Sequence, residues 1–454
     1  MSELIVSVSG VRGTVGEALT PQVACDFACA FAASLSRGAT VVLARDTRPS
    51  GAAFSAAARA GLLASGVNVI DIGVVTTPGA ALMTKTLNAD GAVVITASHN
   101  PIEYNGMKFL QPDGPALTAE QANRLAQAWR DGGFRFADAR SQGKARTDDS
   151  THSRHVEAVC DLLDVGTVAE KRFRVVLDSI NGAGCIVTPM LLDRLGCEVL
   201  HINSEPTGDF AHTPEPVEQN LSQLCGAVRE HKADVGFAQD PDADRLVLVD
   251  EQGRFIGEEY TLALAAADVL ARRKGDLATN LATSRMIDDI AADAGCRVLR
   301  SPTGEANVAE LMAREGCIFG GEGNGGVMEP ELARVRDSLV GIAYVLRRLA
   351  ETGKTLSELV AEIPSYQFVK TKLPCPQGRA EQVVKAVRED FSDAPDARFN
   401  DADGLRIDLP VGWVSVRGSN TEPILRIFAE AGNEKIADEL VQRVRQIAEN
   451  VAAS

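Results

Sequence analysis

Arg174-Val175-Val176-Leu177-Asp178, Asn181-Gly182-Ala183-Gly184, a run through Leu191-Leu192, and Gly196-Cys197-Glu198-Val199-Leu200 read in order as strand, polar loop, helix, glycine and strand. The cycle occurs earlier, from Thr40-Val41-Val42-Leu43-Ala44-Arg45-Asp46 through Leu62-Leu63 to Gly66-Val67-Asn68-Val69-Ile70. A weaker copy runs from 277–283 through a helix at 286–294 to Gly295-Cys296-Arg297-Val298-Leu299. Short apolar strands alternating with helices of this length predict α/β units with mixed, mainly parallel sheets. Past Pro364 the rhythm changes to a strand at 367–373, a helix at 379–391, strands at 404–409 and 414–417 and a final helix, which reads as a smaller α+β domain. The expected division is three similar α/β units, 1–150, 151–254 and 255–364, and a C-terminal α+β domain, 365–454. The polar stretch 138–153 reads as a linker after the first unit.

The 454 residues exceed what one core holds, in keeping with several units. Lys and Arg number 46 against 62 Asp and Glu, a formal net charge of −16, and a field of that sign disfavours nucleic acid and anionic lipid as partners. With 45% hydrophobic and 24% charged residues the composition is that of an ordinary globular protein. The nine cysteines are scattered without a C-x-x-C pair, which fits reduced thiols in the cytoplasm rather than disulfides or a zinc site. Met1-Ser2-Glu3-Leu4-Ile5 carries no secretory pattern, and charges interrupt every run approaching a membrane span.

Four strand ends carry polar chemistry. Ala92-Val93-Val94-Ile95 runs into Thr96-Ala97-Ser98-His99-Asn100-Pro101, with Asn105-Gly106-Met107-Lys108 following. Ligands in open α/β sheets gather at carboxyl ends of strands, so Ser98 stands where a nucleophile would, although Ser, Asn and Pro alone equally make a turn. A hydrolase elbow is a poorer match because G-x-S-x-G is absent. In the second unit, strand 233–238 ends at Asp240-Pro241-Asp242-Ala243-Asp244-Arg245. Carboxylates at alternate positions of a tight loop converge, and hard oxygen ligands suit Mg²⁺ or Ca²⁺. An EF-hand is excluded, since Arg245 stands where its loop needs Gly and Leu246-Val247-Leu248-Val249 continues as a strand. In the third unit Cys317-Ile318-Phe319 enters Gly320-Gly321-Glu322-Gly323-Asn324-Gly325-Gly326, where one carboxylate and one amide could read sugar hydroxyls or merely sit in a flexible loop. It is not a P-loop, for no Gly-Lys-Ser/Thr follows. In the last domain Val414-Ser415-Val416 ends at Arg417-Gly418-Ser419-Asn420-Thr421-Glu422-Pro423, a phosphate cradle or a capped hairpin turn. Four such loops of complementary chemistry weigh more than any one.

Taken together, these motifs resemble the α-D-phosphohexomutase family, which includes phosphoglucosamine mutase, phosphomannomutase and phosphoglucomutase. The resemblance covers essentially the whole chain in order, and T-A-S-H-N-P with D-x-D-x-D-R is its most specific pair. It implies four domains around a central cleft, with Ser98 as the phosphorylated serine and Ser98, Asp240, Asp242 and Asp244 as Mg²⁺ ligands. It places Arg12 of Ser9-Gly10-Val11-Arg12-Gly13, His99, Lys108 and Arg245 with Ser98 in the catalytic set, Lys108 as candidate general acid/base. Glu322 and Asn324 fall on the sugar loop, and Arg417, Ser419, Asn420 and Thr421 on the phosphate loop.

The implied reaction shuttles phosphate between the 6 and 1 positions of a hexose phosphate through a bound bisphosphate, with hexose 1,6-bisphosphate as activator. The usual sugar loop reads G-E-x-S-G-H; Gly321-Glu322-Gly323-Asn324-Gly325-Gly326 resembles the archaeal-type branch and makes glucosamine 6-phosphate the expected substrate, with mannose and glucose phosphates as alternatives. Some relatives carry Lys and His where Pro302 and Glu305 stand, so those roles are not transferred. A metal-dependent sugar phosphatase and a silent sugar-phosphate binder are the competing classes; the intact set of Ser98, three aspartates, Arg245 and Lys108 argues against the latter. The expected assembly is a monomer or homodimer.

Overall fold

A computed structural model describes residues 4–375, 378–418 and 424–453. These residues form four sheets. In the first, Thr40–Arg45 lies between Gly91–Ile95 and Asn68–Val74 with parallel pairing on both sides. Tyr104–Leu110, Gly10–Thr14 and Ile5–Ser7 extend it by antiparallel pairing. The central strand is apolar and buried from Val41 to Ala44 because both its faces are covered. Val41 and Leu43 pack with Phe27, Phe31, Phe54 and Leu62 of the helices Pro21–Ala33 and Gly51–Ala64. Val42 and Ala44 pack on the other face with Ala80, Ala81 and Met83 of Thr77–Thr86, and with Ala333 and Val335 from the third unit.

The second sheet runs Leu246–Asp250, Val235–Gln239, Arg174–Asp178, Glu198–Ile202, with its last three strands parallel. In the third, Leu277–Asn280 pairs in parallel with Val298–Ser301 and Phe319–Glu322, and antiparallel Gly326–Glu329 and Ala333–Arg336 continue the sheet. These two units share one core, since Phe237 and Leu248 of the second sheet cluster with Leu262, Leu264 and Ile342 from helices of the third unit. The fourth sheet is antiparallel, and Val383, Val387, Val441 and Val444 of Ala380–Asp390 and Glu434–Ala453 join its core. The polar 138–153 stretch is not wholly a linker: Ala145–Thr147 adds a parallel edge strand beside Asn68–Val74. Among the described residues no helix is long and apolar enough to cross a membrane.

Candidate active site

The chain leaving Gly91–Ile95 turns at once, and Ser98 sits at φ +50°, a left-handed conformation that a non-glycine residue adopts only when its surroundings impose it. Arg48 imposes it. Its fully buried guanidinium donates to the carbonyls of Ser98 and Asn100 (2.7 Å each), Pro101 (2.8 Å) and Tyr104 (3.0 Å). Asp46, buried beneath it, holds Arg48 Nε at 3.1 Å and accepts the Thr96 hydroxyl at 2.7 Å, while Thr96 Oγ1 in turn accepts Ser98 N. Ser98 Oγ then donates to Asp240 Oδ2 at 2.8 Å across the first and second units. His99 Nδ1 lies 3.4 Å from the same Oγ. Burial, then Arg245 and Arg12, drive the His99 imidazole down to about 3, so the ring is neutral at physiological pH. Arg12 donates to Asn100 Oδ1 at 2.9 Å and secures the far side of the loop.

Asp240, Asp242 and Asp244 are fully buried, and each offers a carboxylate oxygen within 4.8 Å of the others. The turn is closed by Ala243 at φ +52° and by Asp240 Oδ1, which accepts the amides of Asp244 and Arg245. One oxygen of each remaining carboxylate is occupied. Asp242 Oδ2 accepts the Thr77 hydroxyl and Lys108 Nζ, both at 2.6 Å; Asp244 Oδ2 accepts Lys108 Nζ at 2.9 Å and Arg336 Nη2 at 2.7 Å. The other oxygen of each, Oδ1, is buried without a hydrogen-bond partner among the described residues. Two orphaned anionic oxygens beside Asp240 and Ser98 Oγ form a donor set that fits a hard divalent cation.

The charges sort accordingly. Burial and the two neighbouring carboxylates raise Asp240 well above the usual range. Burial and Asp244 also press Asp242 upward, but Lys108 and Thr77 bring it below its ordinary value, and Arg336, Lys108 and Arg245 outweigh burial to lower Asp244 further. Lys108 is opposed by burial yet raised by Asp242, Asp244 and Glu305, so it holds its proton here.

Glu322 ends the strand Phe319–Glu322, where its Oε1 accepts Asn280 Nδ2 at 2.7 Å and its Oε2 accepts Arg336 Nη1 at 2.9 Å. Asn324 Nδ2 is 3.4 Å from Glu322 Oε2, and Asn324 Oδ1 is buried without a partner among the described residues. The loop is tied to the aspartate turn through Gly325 at φ +86°, whose carbonyl accepts Leu246 N at 2.9 Å; a Cβ there would run into the Leu246 backbone. A cavity of about 160 Å³ opens between this loop and the fourth unit, lined by Glu322, Asn324, Thr303, Glu259, Lys370 and Phe428. Glu259 carries a carboxyl that burial pushes up to about 8.

Arg417 lies near the end of Gly412–Gly418, where its Nη1 donates to Asp403 Oδ2 at 3.0 Å. The same carboxylate oxygen accepts Thr303 N at 3.1 Å, joining the strand Gly412–Gly418 to the third unit. Arg417 Nε is buried and unpaired among the described residues. Ser419, Asn420 and Thr421 lie outside the described residues.

The structure thus gathers Arg12, Ser98, His99, Lys108, the three aspartates and Arg245 into one network, which reaches Glu322 through Arg336; Arg417 stands apart, beside Thr303. Sequence reasoning missed Asp46, Arg48, Thr77, Arg336 and Asp403, and named Glu305 without giving it a role. The compact D-x-R of Asp46 and Arg48 at a strand end was the signal available for that pair; the others stand singly, without a spacing that marks them.

Comparison with known proteins agrees with this architecture. The chain matches the family models for phosphoglucomutase/phosphomannomutase α/β/α domain I over residues 4–135, domain II over 153–253, domain III over 258–366, and the C-terminal domain over 371–447. It is 40% identical over 449 residues to a protein of Methanopyrus kandleri named "Probable phosphoglucosamine mutase", covering 98% of each chain. It is also 40% identical over 439 residues to the phosphoglucomutase/phosphomannomutase of Thermococcus kodakarensis, covering 95% of this chain and 96% of that one. A crystal structure of a phosphoglucomutase/phosphomannomutase family protein from Burkholderia thailandensis superposes with a TM-score of 0.86 at 27% identity, covering 99% of this chain and 97% of that one. With its four domains, serine loop and aspartate turn in this order, the chain belongs to the phosphoglucomutase/phosphomannomutase family and is a phosphohexomutase, an isomerase that works by phosphate transfer.

Proposed function

We propose that this phosphohexomutase interconverts glucosamine 6-phosphate and glucosamine 1-phosphate, with Ser98 as phosphate carrier and hexose 1,6-bisphosphate as activator. The observation that carries the assignment of the carrier is the Ser98 hydroxyl, held 2.8 Å from Asp240 in a strained loop that a buried arginine staples in place. Phosphoryl transfer demands positioning and charge stabilisation more than any special bond chemistry, and this loop supplies the positioning. Ser98, Asp240, Asp242 and Asp244 would hold Mg²⁺, which when bound offsets charge on the transferring group. Arg245 and Arg12 add fixed positive charge to the same space. The protonated Lys108 is suited to give a proton to the serine oxygen as phosphate passes to the sugar and to be restored by the proton that the attacking sugar hydroxyl releases in that same transfer. On the phosphate's return the serine hydroxyl attacks and gives up its proton, and the departing sugar oxygen regains one. The neutral His99 orients the serine hydroxyl without adding charge. Arg417, with Ser419, Asn420 and Thr421, would grip the phosphate that is not reacting, and its Nε, buried and unpaired among the described residues, is a donor suited to that task.

For the sugar, Glu322 suits the 3- and 4-hydroxyls, which glucose, glucosamine and mannose share in position. Asn324 Oδ1, without a partner among the described residues, is an acceptor suited to the hydrogens of a 2-amino group. The names of several relatives support the same sugar. A second reading, phosphomannomutase/phosphoglucomutase, is favoured by the Thermococcus kodakarensis relative of that name. Comparison of kcat/KM for glucosamine, glucose and mannose phosphates separates them; preference for glucose or mannose by more than ~10-fold, about 1.4 kcal/mol of transition-state discrimination, replaces the first reading by the second. Release of inorganic phosphate without isomerisation would instead indicate a phosphatase. We further assign the four units to residues 1–150, 151–254, 255–364 and 365–454, and infer a cytoplasmic location, which nine cysteines outside any disulfide support.

A further inference from the structure

Arg336 ends the short strand Ala333–Arg336 and is 7% exposed, yet it meets three carboxylates from three separate segments. Nη1 donates to Glu322 Oε2 at 2.9 Å in the sugar loop; Nη2 donates to Asp244 Oδ2 at 2.7 Å in the aspartate turn and lies 3.3 Å from Glu305 Oε2. Glu305 also accepts the Arg336 backbone amide at 3.1 Å, so one carboxylate fixes both ends of the residue. The sugar loop makes room for it. A Cβ at Gly326 would lie 2.6 Å from Arg336 Cγ and closer still to Cδ, so the aliphatic stem occupies the space that a side chain at 326 would need.

We propose that Arg336 is a positioning residue that couples the sugar-reading carboxylate Glu322 to the cation-binding carboxylate Asp244, so that occupancy of the two sites is linked through one guanidinium. The inference rests on the reading of Asp244 as a Mg²⁺ ligand and Glu322 as a sugar contact. A planar fork with donors on two nitrogens can serve two carboxylates at once in fixed geometry. Its charge has opposite consequences at its two ends. Toward Asp244 it competes with any incoming cation for the same anionic group, so it weakens cation binding. Toward Glu322 it fixes the carboxylate that must accept from sugar hydroxyls, so it strengthens sugar binding. A bond serving only to hold the fold together would move both affinities in the same direction when lost.

The test is calorimetric titration of the unphosphorylated full-length protein with Mg²⁺ alone, together with kcat and KM for glucosamine 6-phosphate, in wild type, Arg336→Met and Arg336→Lys. Arg336→Met, which removes the charge, is expected to bind Mg²⁺ ~10-fold more tightly, as loss of a unit charge near a divalent cation requires, while KM rises ~10-fold and kcat falls less. Arg336→Lys keeps a point charge but no fork; its Mg²⁺ affinity should stay within ~3-fold of wild type while KM remains raised by ~10-fold. Should Arg336→Met fail to melt cooperatively, the lysine variant decides alone. Mg²⁺ and sugar affinities weakening together, or full restoration of KM by lysine, would overturn the coupling. Wild-type protein that neither binds nor needs Mg²⁺ would overturn the underlying reading of Asp244, whereas wild type that binds it beside variants that leave both constants unchanged overturns the coupling alone.

Discussion

The loop bearing Ser98 and the strand end bearing Arg417 both carry phosphate chemistry in this account, but they are built in opposite ways. Ser98 is 1% exposed and held by Thr96, by Asp240 and by an arginine that satisfies four carbonyls. Among the described residues Arg417 is held by an ion pair with Asp403, and its side chain is 21% exposed. A covalent carrier must keep its oxygen within fractions of an ångström of the reacting phosphorus, so its backbone is over-determined even at the expense of strain. A group proposed to grip the non-reacting phosphate must also let it go, and a partly exposed Arg417 suits that better than a buried one.

The contrast can be broken first at its rigid end. Ser98→Ala should remove turnover by several powers of ten, because phosphate monoester transfer without the covalent route is among the slowest of uncatalysed reactions. Initial-rate assays at saturating substrate check it.

Arg48→Lys tests the staple without touching the chemistry. A lysine supplies three donors from one nitrogen in place of the fork, so the Ser98 loop should relax; a ~10²-fold fall in kcat is expected, the loss reported for small misplacements of reacting groups. A thermal melt separates this from unfolding, and an unchanged kcat would show that the strained loop holds itself.

Arg417→Lys probes the open end. Loss of the two-pronged contact should appear mainly in kcat/KM, by up to ~10²-fold if one charge-assisted contact worth roughly 3 kcal/mol disappears. Wild-type kinetics would reduce this loop to a turn.

The smallest effect concerns Glu259, at the wall of the cavity beside Glu322. Its carboxyl titrates at about 8 in the fold against an ordinary 4.5, so the folded state keeps a proton that the unfolded chain loses between those values. This contribution to stability is complete below pH 4.5 and is lost as pH rises through 8. Glu259→Gln, which still accepts from Ser284 N, should match wild type near pH 5 and melt higher at pH 9. Because the carboxyl borders an open cavity, a gain of about 2–4 °C, roughly 1 kcal/mol in a chain with units of this size, is expected. A gap that does not widen with pH would contradict the shift.

What could be read in the sequence divides along the same line. Ser98 and the three aspartates lie in contiguous motifs at strand ends, where a local pattern and its chemistry coincide. The repeating strand, loop and helix were legible for the same reason, since the apolar runs of strands such as Thr40–Arg45 are written residue by residue. Arg336 was illegible: it reads as one basic residue in a short strand, and its partner Asp244 lies 92 residues away. Asp403 likewise acquires its meaning only when folding brings Arg417 and the Thr303 amide to it, whereas Arg48 left at least the D-x-R it forms with Asp46 at a strand end. The strand Ala145–Thr147 was hidden because an exposed edge needs no apolar residues.

Central to the account is the claim that phosphate travels through Ser98, and it is tested most directly by locating that phosphate. Purified protein is incubated with glucose 1,6-bisphosphate and Mg²⁺, quenched, and examined by intact-mass spectrometry with peptide mapping. The account predicts one phosphate per chain, on Ser98, discharged on addition of excess hexose monophosphate. Phosphate on another residue, or an active Ser98→Ala variant that still becomes labelled, would contradict it.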